Sequence, residues 1–218
     1  FDRYKAIATM GEGVGQVGTA LPPGPSVFSE KDLAQMPGYR RDKTADIAEA
    51  KKLLAEAGYA NGITTTMLSR AGWPSFEDMA VYTAQQLSQV GIKVTIDSRE
   101  SALYLRARAT GDFEMSALAA GALFPDPMGM LFYYGPKNDY RYESAKRDDA
   151  VLRYDTAVDP ATREKAAKDL DKALMDEVPY IIAFWEVANV AHWKEVKGVV
   201  PWNGQWNNNT WEQVWLTP

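Results

Sequence analysis

The sequence predicts an α/β fold, a mixed sheet with flanking helices, and three observations predict it. Residues 63–68 and 92–96 are short runs rich in β-branched side chains, Ile-Thr-Thr-Thr-Met-Leu and Ile-Lys-Val-Thr-Ile. A stretch of helical periodicity, long enough for a crossover, lies between them. Other helical stretches, with start or stop residues at their ends, lie on either side. Strand, helix and strand at this spacing make a βαβ crossover at 63–96, so a parallel strand pair is expected.

Taken in order, the chain first shows Gly13-Val14-Gly15-Gln16-Val17-Gly18, a match to G-x-G-x-x-G. A dinucleotide fingerprint needs a strand before these glycines and a helix opening on them. Pro22, Pro23 and Pro25 follow instead, and proline cannot continue a helix. The motif therefore reads as a loop, and 19–43 as an irregular segment wrapping the surface. Ile47, Ala50, Leu54 and Ala57 give a helix over 45–57 that Gly58 stops. After the strand at 63–68, Ser75-Phe76-Glu77-Asp78 reads as a capping box. The helix it opens would bury Phe76, Met79, Ala80, Thr83, Leu87 and Val90 and end at Gly91. Ser98 is placed to cap a helix over 99–110 that Gly111 closes, and 113–120 is a third strand. Ser144 can cap a helix to about 157. Asp159 followed by Pro160 begins another that runs to about 176. Residues 180–185 and 187–194 read as strands and Lys197-Gly198 as a turn. The tail holds Trp202, Trp206, Trp211 and Trp215, with a glycosylation pattern at Asn208-Asn209-Thr210 that matters only in a eukaryotic secreted protein.

Composition excludes several classes of function. The net charge of −5 and pI of about 5.0 leave no basic face for nucleic acid. No apolar run approaches the roughly 18 residues of a membrane span. There is no cysteine, which removes disulfides, thiol catalysis and thiolate-bound metal. The single histidine, His192, cannot form a histidine metal cluster and reads as an ordinary strand residue. No cofactor is indicated.

The stretch around which the chain is organised is 117–135. It starts as an apolar strand, passes through small residues that leave the backbone approachable, breaks at Pro125-Asp126-Pro127 and ends in aromatics before Gly135. In α/β proteins, ligands sit where strands end in loops. Asp126 followed by Pro127 reads first as a helix N-cap, with a short helix over 128–133.

Several motifs together resemble one family. They are Gly11 to Gly18 followed by Leu21-Pro22-Pro23, Ala50-Lys51-Lys52-Leu53-Leu54-Ala55-Glu56-Ala57-Gly58-Tyr59, and Ala84-Gln85-Gln86-Leu87 with Gly91-Ile92-Lys93-Val94. Gly111-Asp112-Phe113, Pro125-Asp126-Pro127, Asp159 with Arg163, Asp176-Glu177-Val178-Pro179-Tyr180 and Val196-Lys197-Gly198 follow in order. Their order and spacing are similar to the C-terminal half of the family 5 extracellular solute-binding proteins, the dipeptide, oligopeptide and nickel type receptors of ABC importers. The resemblance covers nearly the whole chain. It implies a type II periplasmic-binding-protein-like lobe, residues 1–200, and a tail, 201–218, that crosses back to an N-terminal lobe missing from this sequence. It also implies a periplasmic receptor that closes on a solute about a hinge and docks on a membrane permease.

The resemblance places candidate ligand contacts. In the oligopeptide-binding members the loop before Pro127 carries a Gly-Trp pair and an aspartate that receives the peptide amine. Here Ala119 and Ala120 stand for the pair and Leu123 for the aspartate. A leucine cannot pair with an ammonium, so a sugar, an opine-like conjugate or a modified peptide is favoured over an ordinary peptide. Contact would then come from the backbone of Ala119, Ala120, Gly121, Ala122, Leu123 and Phe124. Trp185 could stack on an apolar or sugar face, Glu186 could accept hydrogen bonds, and Arg70 and Trp73 lie after the first strand, at the ligand end of a parallel sheet. Two other classes compete with this non-enzymatic reading. A glycoside- or peptide-processing hydrolase would need a placed carboxylate pair, which no spacing supplies. A protein-interaction domain would use exposed aromatics.

Overall fold

In the computed structural model the described residues are 1–24, 27–123, 126–135, 138, 142–187, 189–200 and 211–217. Their elements in chain order are α1 (Arg3–Met10), α2 (Glu30–Leu33), α3 (Thr44–Glu56), β1 (Ile63–Arg70), α4 (Pro74–Ser88), β2 (Ile92–Arg99), α5 (Ser101–Thr110) and β3 (Met115–Ser116). A 3₁₀ turn (Pro127–Met130), α6 (Leu131–Tyr134), α7 (Ala145–Thr156), α8 (Pro160–Glu177), β4 (Val196–Lys197) and β5 (Trp215–Leu216) follow.

The expected crossover is present. β1 and β2 pair in parallel over their full length, from Ile63 with Ile92 to Arg70 with Arg99, and β3 joins the other side of β1, giving the order β2-β1-β3. All three strands run the same way, so their C-terminal ends share one edge. On one face Met67 packs with Ala80 of α4 and with Ala117, and on the other Leu68 packs with Tyr104 and Ala107 of α5 and with Phe76. The largest core cluster joins Leu21 and Val27 to Met130, Tyr133 and Tyr134, and to Ala150, Val151, Leu170 and Leu174 of the α7–α8 pair. Leu118 packs against both this cluster and the Leu68–Phe76 cluster, so it couples the sheet to the helical half.

Two of the predicted start signals, Ser144 and Asp159, perform as the sequence predicts. Ser144 accepts the N–H of Arg147 at 3.0 Å, and Asp159 accepts that of Thr162 at 2.9 Å with Pro160 at the first helical position. Gly58 and Gly111 take positive φ at the ends of α3 and α5, a conformation open to glycine.

Five expectations are corrected. The segment 19–43 does not merely wrap the surface: Leu21 and Leu33 are fully buried and Val27 and Tyr39 nearly so. Prolines keep the segment irregular, but its apolar side chains still have to leave water. It even contains a reciprocal cap, Ser29 with Asp32, at the start of α2. The box at Ser75 does not form, because Pro74 takes the first helical position with Trp73 as N-cap, and Glu77 instead accepts the Gly72 N–H at 3.0 Å. Ser98 caps nothing: the ladder with β1 carries β2 through Arg99, and the helix starts at Ser101. The third strand is only Met115–Ser116, extended by one bond from the Ala117 N–H to the Leu68 carbonyl. Ala119, Ala120 and Gly121 beyond it offer little side chain to pack on a sheet. Residues 180–187 and 189–194 form no ladder among the described residues beyond one antiparallel bridge, Gln16 with Trp185. An apolar run specifies extended chain, but a strand also needs a partner edge.

The end of the tail pairs back on the chain, β5 antiparallel to β4. Residues 201–210, with Trp202, Trp206 and the sequence Asn208-Asn209-Thr210, lie outside the described residues, as do Phe124 and Pro125.

Candidate functional site

Arg70, Trp73 and the start of the 119–124 loop lie at the shared C-terminal edge of the parallel strands. Arg70, the last residue of β1, sends its guanidinium over the indole of Trp73, 4.0 Å from the ring centre to the guanidinium carbon. Its Nε donates to the Ser101 hydroxyl at 2.9 Å. Trp73 in turn meets Phe76 edge-on, with centroids 6.2 Å apart. The β1-to-α4 turn makes this possible, because Pro74 fixes the helix start and leaves Trp73 extended as N-cap. Arg70 is thus held by a stack and one hydrogen bond, and among the described residues its two terminal nitrogens have no hydrogen bond or ion pair. The neighbouring Arg99 differs: both of its terminal nitrogens are engaged, one with Asp97 and one with Asp112, each at 2.7 Å.

The loop after β3 starts at the same edge. Ala117 is buried and its carbonyl accepts the Tyr104 hydroxyl at 2.9 Å, while Leu118 fills the space beside Phe76. Ala119 and Ala120 are exposed and Gly121 half-buried. No hydrogen bond engages their N–H groups among the described residues. Ala122 turns its methyl into the main core, and the Leu123 N–H is taken by the Gly129 carbonyl at 3.0 Å. Among the described residues of the loop, Ala119, Ala120 and Gly121 are thus the ones with some exposure and N–H groups outside the hydrogen bonding.

Asp126 fixes the far end of the loop. Its Oδ1 accepts the Met128 N–H at 2.8 Å and the Tyr154 hydroxyl at 3.0 Å, and Arg163 approaches Oδ2 at 3.4 Å. The Arg163 guanidinium also lies over the Tyr154 ring, 4.3 Å from its centre. The carboxylate holds the 3₁₀ turn to α7 and α8, in keeping with the capping role read from the sequence.

Trp185 approaches the main core from a different direction. It is half-buried and packs against the same cluster that contains Ala122. Its backbone exchanges two hydrogen bonds with Gln16, at 2.9 and 2.8 Å, and its indole N–H donates to the Thr19 carbonyl at 2.9 Å. Here the glycines of the first loop find their purpose. A Cβ on Gly18 would stand 2.6 Å from the indole, and one on Gly15 would stand 3.0 Å from the Phe184 ring. The G-x-G-x-x-G match is a seat for two aromatic rings. Glu186 is exposed and has no partner among the described residues. His192 is exposed too, its ring nitrogen 3.0 Å from the Trp193 carbonyl.

Sequence reasoning did not single out Thr19 and Asp171. The Thr19 hydroxyl donates to Asp171 Oδ2 at 2.8 Å, and both residues are buried. Burial pushes the Asp171 carboxyl up to about 6, against the pull of Thr19 and of the nearby N–H groups of Phe28 and Leu21. Oδ1 closes no hydrogen bond of normal geometry among the described residues. A signal existed: Ala166, Ala167, Leu170, Ala173 and Leu174 form the buried stripe of α8, and Asp171 lies inside it. An acid within an apolar stripe marks a buried polar contact.

Comparison with known proteins places this geometry. The family model described as bacterial extracellular solute-binding proteins, family 5 Middle, matches residues 1–142. The glutathione-binding protein GsiB of Pectobacterium atrosepticum is 28% identical over 175 residues, 70% of this chain and 32% of that protein. GsiB of Escherichia coli K12 is 27% identical over 174 residues, with the same coverage of 70% and 32%. The chain thus spans about a third of the length of the curated relatives it matches. Among solved structures, the periplasmic binding protein DppA of Helicobacter pylori, in complex with the peptide STSA, superposes with a TM-score of 0.75 at 24% identity. That match covers 99% of this chain and 42% of DppA. AgaA of A. tumefaciens R10, in complex with agropinic acid, gives 0.71 at 23% identity over 93% and 42%. These structural likenesses establish the type II periplasmic-binding-protein fold of the chain.

Proposed function

The chain belongs to the bacterial extracellular solute-binding proteins of family 5, and from that premise we propose that it is one lobe of a receptor serving an ABC importer. The receptor captures a small solute between two lobes in the periplasm and delivers it unchanged to a membrane permease. The observation that carries the reading is the uncommitted donor set at the sheet edge. Arg70 is stacked and oriented, its two terminal nitrogens have no partner among the described residues, and it lies on the same edge as the N–H groups of Ala119, Ala120 and Gly121, which are likewise unengaged among the described residues. Donors left open at the ligand end of a parallel sheet suit an anionic or carbonyl-rich group.

In this reading Arg70 receives a carboxylate, Trp73 and Trp185 form apolar walls, Glu186 lies at the rim, and the loop from Ala119 to Leu123 with Phe124 closes on the solute. Leu123 supplies no charge for an ammonium, so the solute is a carboxylate-bearing molecule held without that contact: a peptide-like, opine-like or sugar-conjugated compound. The named ligands of similar proteins, glutathione for GsiB and agropinic acid for AgaA, fall in this range.

Residues 1–200 would be the ligand-contacting lobe and 201–218 the segment that returns to the other lobe. Trp193, Trp211, Trp215 and Leu216 are 80%, 66%, 57% and 72% exposed. That is more aromatic surface than a solvated face carries without a partner, and the other lobe is the cover this reading supplies. The test is mass spectrometry of solute released from the purified complete receptor, followed by calorimetry with that solute. Recovery of an unchanged carboxylate-bearing molecule supports the reading, and turnover of the molecule by the receptor overturns it.

A further inference from the structure

Thr19 stands between a buried contact and a partly buried one. Its hydroxyl donates to Asp171 on α8 at 2.8 Å, and its carbonyl accepts the indole N–H of Trp185 at 2.9 Å. Thr19 and Asp171 are 1% and 0% exposed. An aspartate in the apolar stripe of a helix carries a desolvation cost, while a leucine there would simply add to the core. Thr19 is 152 residues from Asp171 and 166 from Trp185, so nothing local in the sequence requires either contact. The carboxylate accepts the Thr19 hydroxyl and so fixes that side chain, while the N–H groups of Leu21 and Phe28 on the same segment also face it. Thr19 also fixes the indole, because a hydrogen bond to a carbonyl depends on the direction of the carbonyl.

The indole has few other constraints on its orientation. Gly18 gives it space rather than contact beyond the backbone, and the bridge to Gln16 holds the Trp185 backbone, not its χ angles. The side chain also packs against the main core. The N–H bond to Thr19 selects which way the ring is turned within that seat.

We infer that Thr19 and Asp171 are positioning residues for Trp185: the buried hydroxyl–carboxylate bond holds the Thr19 carbonyl in line with the indole N–H and so sets the face that Trp185 turns to the solute. The last clause rests on the reading of Trp185 as a wall of the binding site. The first stands without it.

The test uses the complete receptor labelled with 5-fluorotryptophan, with the Trp185 resonance assigned from Trp185→Phe. Thr19→Val removes the hydroxyl at nearly constant shape, Asp171→Ala removes the acceptor, and Asp171→Asn keeps one. The Trp185 fluorine signal shifts or broadens in Thr19→Val and Asp171→Ala and stays at its wild-type position in Asp171→Asn. Affinity for the co-purified solute falls about 5- to 10-fold in the first two variants and is retained in the third. Thr19→Val adds little to the loss in a Trp185→Phe background. An unmoved Trp185 signal in folded Thr19→Val and Asp171→Ala would overturn the inference. If Asp171→Ala does not fold, Thr19→Val against Asp171→Asn decides it alone. A moved signal with wild-type affinity in Trp185→Phe would support the positioning and overturn the wall.

Discussion

The Tyr154 hydroxyl donates to Asp126 Oδ1 at 3.0 Å, tying the 3₁₀ turn that ends the candidate loop to the last turn of α7. The same oxygen caps the Met128 N–H. Asp126→Ala should cost about 2 kcal/mol of stability, the sum of a lost cap and a lost partly buried hydrogen bond. Tyr154→Phe should cost about 1 kcal/mol. Denaturant titration of the two single variants and the double variant should show a favourable coupling, since both remove the same bond. Additive losses would mean that the bond contributes nothing.

The pH dependence of Asp171 has a definite sign. Burial raises its carboxyl to about 6 in the folded protein, against roughly 4 for an unfolded aspartate. Between these values the folded state binds more protons than the unfolded one. The stabilisation from this group is therefore complete below about pH 4 and is lost as pH rises through 6. Asp171→Asn removes the dependence. The stability of Asp171→Asn minus that of the wild type should rise by up to about 3 kcal/mol from pH 4 to pH 7. A difference that stays flat across this range contradicts a raised carboxyl.

Gly62 and Gly58 both take positive φ, at +84° and +90°, but only one is crowded. A Cβ on Gly62 would collide with the carbonyl oxygen of Gly91, where β1 and β2 begin side by side, whereas one on Gly58 meets open space. Gly58→Ala should cost about 1 kcal/mol, the conformational term alone. Gly62→Ala should cost roughly 2–4 kcal/mol, because the strand start must also shift. Thermal unfolding of the two variants separates the terms, and equal losses would show that the close approach is not maintained.

In the proposed reading, Leu123→Asp places a carboxylate where the amine of an ordinary peptide would be received. Its preference for a tripeptide with a free amino terminus over the N-acetylated form should rise by about tenfold, or about 1.4 kcal/mol. Calorimetry with the two peptides measures this. An unchanged ratio in a folded Leu123→Asp receptor would remove Leu123 from the account of specificity.

The parts of the fold legible in sequence are those with local causes. Ser144, Asp159 with Pro160, Gly58 and Gly111 act within one helical turn, and each performs as read. The alternation at 92–96 and the β-branched run at 63–68 need only a neighbouring strand, which the crossover brings. The rest depends on distant partners. Whether 180–185 becomes a strand is decided by the edge it meets, and among the described residues only Gln16 meets it. The glycines at 15 and 18 looked like a nucleotide motif because their actual neighbours, Phe184 and Trp185, are far away in sequence. At the candidate site, Arg70 and Trp73 were legible as a position at the end of a strand. Their stacking, and the contrast with the fully engaged Arg99, follow from tertiary placement that no spacing encodes.

The central claim is that the oriented Arg70 guanidinium captures the anionic end of an unmodified solute. The most direct measurement is calorimetric titration of the complete wild-type receptor, Arg70→Ala and Arg70→Lys with the solute that co-purifies with the wild type. Binding should weaken at least tenfold in Arg70→Ala. Lysine should recover only part of it, since an ammonium cannot stack on Trp73 while presenting two parallel donors. Wild-type affinity in a folded Arg70→Ala receptor would contradict the claim.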